Sequence, residues 1–187
     1  MISLMDLWLP VLLSAVLVFV VSSILHMVLQ YHKSDYAKLP GEANVMEAMR
    51  KEGVSPGNYA FPCPGNMKDM GSPEMLEKYK QGPVAFLNVL PSQPPAMGKS
   101  LLLWFLFSLV ISFFAAYLAS RTLGAGTDYL QVFRVVGAVA FLGYAGAAPV
   151  DSIWKGQKWS TTLKNIFDGL MYALVTAGCF GWLWPQA

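Results

Sequence analysis

Four stretches of the chain are apolar and long enough to cross a bilayer. The first lies within residues 1–30 and contains no Lys, Arg, Asp or Glu after Asp6, and the second covers residues 101–120. The third and fourth, residues 132–150 and 166–184, each have a charged side chain near their start. At about 1.5 Å of rise per residue, each stretch is close to the thickness of a hydrocarbon core of roughly 30 Å. The sequence therefore predicts an all-α membrane protein with four transmembrane helices in a bundle.

Nearly all the basic residues fall in two alternate loops. Eight lie between the first and second spans and three between the third and fourth, whereas Arg121 and Arg134 lie on the other side. By the positive-inside rule, both basic loops are cytoplasmic and both termini lie outside. No Lys or Arg precedes the first apolar run, so we interpret it as a retained helix rather than a cleaved signal peptide. The expected location is a bacterial inner membrane with residues 31–100 in the cytoplasm.

The loop over residues 31–100 is long enough to form a small subdomain. Periodicity and a following glycine predict a helix from Gly41 to Glu52, and Ser72-Pro73-Glu74 is typical of the start of another. Short strands are predicted at residues 59–61 and 84–90. The order helix, strand, helix, strand favours a right-handed β-α-β crossover and a small α/β subdomain. Its core is too small for independent stability, so we expect it to lie against the membrane or a partner.

Two of the predicted spans carry small residues at every fourth position, which gives each a flat face for close helix contact. In the fourth span this stripe is Gly169, Ala173, Ala177 and Gly181, and in the second it is Ser108, Ser112, Ala116 and Ser120. We favour packing inside one four-helix bundle as the use of both stripes. Contact between copies in a homo-oligomer would use the same faces.

Ionisable residues inside a bilayer are costly, so those within the spans are candidates for a functional site. His26 and Asp168 lie about one turn inside the cytoplasmic boundary on helices that run in opposite directions, and Asp151 lies at the same level. One interpretation is a polar cluster that binds a proton, an ion or a ligand headgroup. The other, which we favour, is that His26 and Asp168 satisfy each other and that Lys164 pairs with Asp168 one helical turn away.

Other chemical signals in the sequence are weak. His26 and His32 are six residues apart, which places them on different faces of a helix, so paired metal or haem ligands are not expected. The chain has no glycine-rich phosphate loop, nucleophile elbow, zinc-protease helix or Cys pair. We therefore expect no catalytic residues, no metal site and no cofactor. A net charge of +2 without a clustered basic face predicts no nucleic-acid partner.

The last third of the chain carries several tryptophan and glycine motifs. They are Trp154-Lys155-Gly156, Trp159, Asp168-Gly169 and the closing Gly181-Trp182-Leu183-Trp184-Pro185. Together they resemble an uncharacterised family of small bacterial inner-membrane proteins with four spans. The resemblance covers the third and fourth spans and extends to the segment from Tyr31 to Pro64. It implies a bacterial membrane protein and brings no function and no active-site residues with it.

Two hypotheses of function follow from the sequence. The first is an accessory or scaffold subunit that binds a membrane-protein partner, or its own copies, through the small-residue stripes and the cytoplasmic loop. The second is a small oligomeric transporter or channel for a proton, a metal ion or a small solute, with a pathway that uses His26 and Asp168. Neither an internal repeat nor a broken helix in mid-span is evident, which favours the first hypothesis.

Overall fold

The computed structural model describes residues 2–94 and 96–186 and is mostly helical. The chain divides into two compact units. The bundle unit comprises the described residues up to Tyr36 and from Ala96 onward, and the loop unit comprises those between them. In chain order the elements are α1 (Trp8–Ser23), α2 (Glu42–Lys51), β1 (Gly57–Phe61), α3 (Pro73–Gln81), β2 (Ala85–Val89), α4 (Met97–Thr122), α5 (Tyr129–Ala145), α6 (Ala148–Lys155) and α7 (Trp159–Trp182).

The bundle is a ring of four long helices, in which α1 contacts α4, α4 contacts α5, α5 contacts α7 and α7 contacts α1. A 3-10 turn, Leu4–Leu7, leads into α1, and a π turn, Ile24–Val28, extends it. A short connection joins α4 to α5. It ends at Asp128, whose side chain accepts hydrogen bonds from the backbone of Leu130 and Gln131 and so caps the first turn of α5.

Three helical segments are long and apolar enough to cross a membrane: Leu4–Val28, Met97–Thr122 and Tyr129–Lys155. Helix α7 has 24 residues but is not among them, and its first half carries Lys164 and Asp168. It also buries more residues than any other described helix. Its polar residues Thr162, Asp168 and Thr176 are buried against the neighbouring helices, whereas Leu163, Phe167 and Leu170 are exposed on the opposite face. Of the four predicted spans, three therefore have the length and apolar composition of a transmembrane helix.

The small-residue stripe of α7 lies against α5. A Cβ atom added at Gly169 would lie 2.7 Å from the Ala145 Cβ, and one added at Gly181 would lie 2.7 Å from the Tyr129 ring. Both glycines are therefore needed for the close approach of the two helices. The stripe of α4 is equally buried, and its Ser112 accepts a hydrogen bond from Ser14 of α1 at 2.9 Å. Both stripes are thus occupied by contacts within this chain.

The predicted third span, residues 132–150, is interrupted. Helix α5 ends at Ala145 and α6 begins at Ala148. Pro149 lies in the first turn of α6 and has no backbone N–H to donate to the preceding turn, which explains the break. The predicted fourth span is longer than expected, since α7 begins at Trp159 and not at residue 166.

The loop unit contains the helices and strands expected from its sequence, but not their expected connection. The strands pair antiparallel, with Gly57 opposite Val89 and Phe61 opposite Ala85. The predicted right-handed β-α-β crossover, which requires parallel strands, is therefore wrong. Parallel pairs need helices over both faces, whereas an antiparallel pair tolerates a solvated face. Among the described residues of the loop unit only Met75 is buried, so that cover is missing.

Candidate functional site

The site begins where α1 stops. After the π turn, Gln30 adopts a left-handed conformation with φ of 52°, and a 3-10 turn follows over Tyr31–Ser34. This change of direction brings the next residues back beside the end of α1. The rings of His26 and His32 are stacked, with centroids 4.5 Å apart and an angle of 10° between their planes. The prediction that these histidines lie on different faces is wrong because it assumed a helix continuing through residue 32.

Both histidines face the carboxylate of Asp168 on α7. His32 Nε2 lies 2.8 Å from Asp168 Oδ2, and His26 Nε2 lies 3.8 Å from the same oxygen. The other oxygen, Oδ1, accepts a hydrogen bond from the Tyr31 hydroxyl. The Asp168 side chain is only 5% exposed, so these groups are its main polar surroundings. The structure thus places His26 beside Asp168, as expected, and adds His32 and Tyr31.

The second nitrogen of each imidazole has its own partner. His26 Nδ1 lies 3.1 Å from the Ser22 carbonyl oxygen, which can only accept, so this nitrogen carries a proton. His32 Nδ1 lies 2.6 Å from Asp35 Oδ2. These contacts fix both rings in orientations that direct Nε2 toward Asp168.

Lys164 anchors the segment that carries His32. Its Nζ donates to Asp35 Oδ1 at 2.7 Å, to the Tyr31 carbonyl at 2.8 Å and to Ser34 Oγ at 2.7 Å. The predicted pair of Lys164 with Asp168 is therefore wrong: the lysine reaches away from its own helix. Burial raises the pKa of the Asp35 carboxyl, but hydrogen bonds from Lys164, His32 and Thr161 outweigh that effect and hold the pKa below its ordinary value. Asp35 is accordingly a carboxylate.

A cavity of about 750 Å³ adjoins this cluster within the bundle unit. Its apolar wall includes Met97, Leu101 and Trp104, and its polar wall includes His26, Asn165, Asp168 and Tyr172. The Tyr172 side chain is 4% exposed, and its hydroxyl has no hydrogen-bond partner among the described residues. The Tyr144 hydroxyl, on another residue of the cavity wall, is likewise buried and unpaired among the described residues, so this wall holds two costly unsatisfied polar atoms.

Asp151, the third sequence candidate, lies outside the cluster. Its carboxylate pairs with Lys155 at 2.8 Å, and its side chain is 48% exposed. Tyr31, Asp35 and Tyr172 were not among the candidate residues predicted from the sequence, and His32 was excluded as a metal ligand. Tyr172 follows Asp168 by one helical turn and could have been found from that spacing. The other three depend on where α1 ends, for which the polar run beginning at Gln30 was the available signal.

No protein-family model, curated protein or solved structure matches this chain. Its function is therefore argued from the geometry of the cluster and the cavity.

Proposed function

We propose that the chain is an integral membrane protein of the bacterial inner membrane with four spans, α7 being the fourth. The length of α7 and its place between α5 and α1 support this proposal. The proposed orientation has both termini outside and the loop unit in the cytoplasm. Basic residues support it, because Lys33, Lys99, Lys155, Lys158 and Lys164 all flank the ends of the spans nearest the polar cluster.

Cysteine labelling tests the orientation with the natural sequence. Cys63 is exposed and Cys179 is buried, and both thiols are free. A membrane-impermeant thiol reagent should leave Cys63 unmodified in intact cells and modify it in inverted membrane vesicles. Cys179 should remain unmodified in both until the protein is denatured, which provides an internal control. Labelling of Cys63 from the outside of intact cells would contradict the proposed orientation and indicate the opposite one.

The function that the geometry supports best is binding of a lipid-soluble molecule that carries a hydrogen-bonding polar group. The main support is the cavity of about 750 Å³, which has apolar side chains on one wall and His26, Asp168 and Tyr172 on another. Pockets of several hundred cubic ångströms with a few convergent polar groups are typical of small-molecule sites. The apolar part would lie against Leu101 and Trp104, and the polar group would pair with His26, whose side chain is 50% exposed in the cavity wall. Such a site suits a binding or transport protein.

Co-purification of the bound molecule tests this proposal. Protein purified from membranes in mild detergent is extracted with organic solvent, and the extract is analysed by mass spectrometry. Ala147 lines the cavity, so Ala147→Trp should fill it and reduce the extracted molecule about tenfold or more. Ala138→Trp is the matched control, because Ala138 is exposed on α5 and does not line the cavity. Equal extracts from the parent and both variants would refute the proposal.

An accessory role is the second candidate, and a surface of the loop unit favours it. Val84, Phe86 and Leu90 alternate along one face in and beside β2 and are 57%, 60% and 73% exposed. Asn88 lies between Phe86 and Leu90 on this face, and exposed apolar side chains grouped in this way mark a site of protein or membrane contact. The small-residue stripes no longer support this role, since they are used within the bundle.

The mass of the native assembly tests the accessory role. If this face binds a membrane-protein partner or a second copy, Phe86→Asp should reduce the assembly to a single chain in detergent. Gln93→Asp adds the same charge at another exposed position of the loop unit and should leave the mass unchanged. If the parent protein itself purifies as a monomer without a partner, that result would count against this role.

A further inference from the structure

We propose that His26, His32 and Asp168 form a binding site for a divalent transition-metal ion of the Zn²⁺ class. Each residue offers one ligand atom, and the three atoms lie within 4.8 Å of one another. Two imidazole nitrogens and one carboxylate oxygen are a donor set that suits Zn²⁺ and related ions. The proposal goes beyond binding of a lipid-soluble molecule and does not depend on what occupies the cavity.

The second nitrogen of each imidazole has the kind of partner that metal-ligating histidines commonly have. In metal sites a ligating histidine usually donates its other ring N–H to a carbonyl or a carboxylate, which fixes the ring and its tautomer. Here the Ser22 carbonyl holds His26 Nδ1 at 3.1 Å, and the Asp35 carboxylate holds His32 Nδ1 at 2.6 Å. Both Nε2 atoms are left to face Asp168. Asp35 is itself held by a hydrogen bond from Lys164, so the residue that orients His32 is also fixed in position.

The distances fit an ion held between the three groups. Bonds of about 2.0–2.2 Å at near-tetrahedral angles place neighbouring ligand atoms about 3.3 Å apart. The two nitrogen-to-oxygen distances are 2.8 Å for His32 and 3.8 Å for His26, one on each side of that value. Because the two rings are stacked with 10° between their planes, binding also requires one imidazole to turn until both Nε2 lone pairs point at the ion.

Hydrogen bonding alone leaves His26 unexplained. A protonated His32 could bridge Asp35 and Asp168 without an ion. His26 Nε2, however, lies 3.8 Å from Asp168 Oδ2, beyond hydrogen-bond distance, and its Nδ1 already carries a proton. An imidazolium would form an ion pair with Asp168 across this distance, whereas in the neutral ring the Nε2 lone pair faces a carboxylate oxygen. A cation between these two acceptors converts that repulsion into two attractive contacts.

Three protein ligands leave one position of a tetrahedral ion open. Open positions distinguish sites that bind a further ligand from closed structural sites. His26 and Asp168 both line the cavity, so the open position would be reached from there. An ion at this place would take water or an anionic or carbonyl oxygen of a bound molecule as its fourth ligand.

Cobalt binding tests the metal site directly. The protein is purified without a polyhistidine tag, stripped with a chelator, and titrated with Co²⁺, whose visible absorption reports imidazole and carboxylate coordination. One Co²⁺ per chain should bind and be displaced by Zn²⁺. His26→Gln should abolish or strongly weaken the absorption, and it is the most informative variant because the His26 side chain is 50% exposed, so its replacement disturbs the packing least among the three ligands. Asp35→Asn should weaken affinity about 10- to 100-fold by releasing His32.

Asp151→Asn is the matched control, since it removes a carboxylate at the same end of the bundle from outside the cluster. It should bind Co²⁺ like the parent. Absence of saturable binding by the parent, or equal binding by His26→Gln and the parent, would overturn the metal site. Ala147→Trp separates this proposal from the proposed function. If this variant loses the lipid-soluble molecule but still binds Co²⁺, the cavity and the metal site are each supported independently.

Discussion

The two ends of the bundle are built from the same four helices and differ in how they fill the space between them. At one end, the apolar end, Leu7, Val132, Ala177 and Phe180 are fully buried and belong to one hydrophobic cluster. At the other, the polar end, the cavity of about 750 Å³ remains beside Asp168. The comparison shows that tight packing and an internal cavity coexist along one set of helices.

Side-chain size explains the difference. Gly181 and Ala177 let α7 approach α5 closely at the apolar end, where a Cβ added at Gly137 would lie 3.3 Å from the Ala177 Cβ. At the polar end, aromatic rings stand between the helices. Trp104 of α4 and Tyr172 of α7, on helices that face each other across the ring, have centroids 5.5 Å apart. We infer that the apolar end provides a rigid base on which the polar end can hold a ligand.

The largest effect is expected from overpacking the apolar end. Ala177→Leu adds a branched side chain where the parent residue is 0% exposed and packs closely against Gly137 of α5. We expect a loss of about 2 to 3 kcal/mol in the free energy of unfolding. Ala138→Leu is the matched control on the exposed face of α5 and should change stability little. Reversible unfolding in detergent measures both, and equal stability of the two variants would contradict the close packing of α5 and α7.

A smaller effect is expected from removing one hydrogen bond at the polar end. Tyr31→Phe deletes the hydroxyl that donates to Asp168, and hydrogen bonds to charged groups contribute about 1.5 kcal/mol or somewhat more. In a double-mutant cycle, Tyr31→Phe and Asp168→Asn should cost less together than the sum of their separate costs. Tyr36→Phe is the control, because Tyr36 is 91% exposed. The cycle is measured with a chelator present so that metal binding does not contribute, and additive costs would show that the two residues are not coupled.

The apolar end was the more predictable of the two from the sequence. The four-residue spacing of Gly169, Ala173, Ala177 and Gly181 indicates a contact face regardless of where the helix begins or ends. The polar end depends on a local event, the left-handed residue Gln30, which no periodicity reveals. His32 was misplaced for that reason. The burial of Asp168, whose side chain is 5% exposed, also depends on which helices pack against α7, and the residue pattern of α7 alone does not give that.

A glycine-to-alanine pair on α7 sharpens the comparison further. In a helix interior, this change alone gains up to about 1 kcal/mol from helix propensity. At Gly178 the new Cβ would lie 3.6 Å from the nearest atom, the Tyr129 hydroxyl oxygen, so Gly178→Ala should be stabilising. At Gly169 it would lie 2.7 Å from the Ala145 Cβ, so Gly169→Ala should be destabilising by about 1 kcal/mol. Stability changes of the same sign would show that α5 moves freely away from Gly169.

The smallest change in stability is expected from Ala147→Leu, which enlarges a side chain in the wall of the cavity. The added atoms are the same as in Ala177→Leu, but they enter open space, so the free energy of unfolding should stay within about 0.5 kcal/mol of the parent. The two variants, measured side by side in the same detergent, isolate the local packing because the substitution is identical. A loss as large as that of Ala177→Leu would mean that the polar end is packed as tightly as the apolar end and that the cavity closes in the membrane. An unchanged stability, combined with reduced extraction of a lipid-soluble molecule, would assign the open space at the polar end to ligand binding.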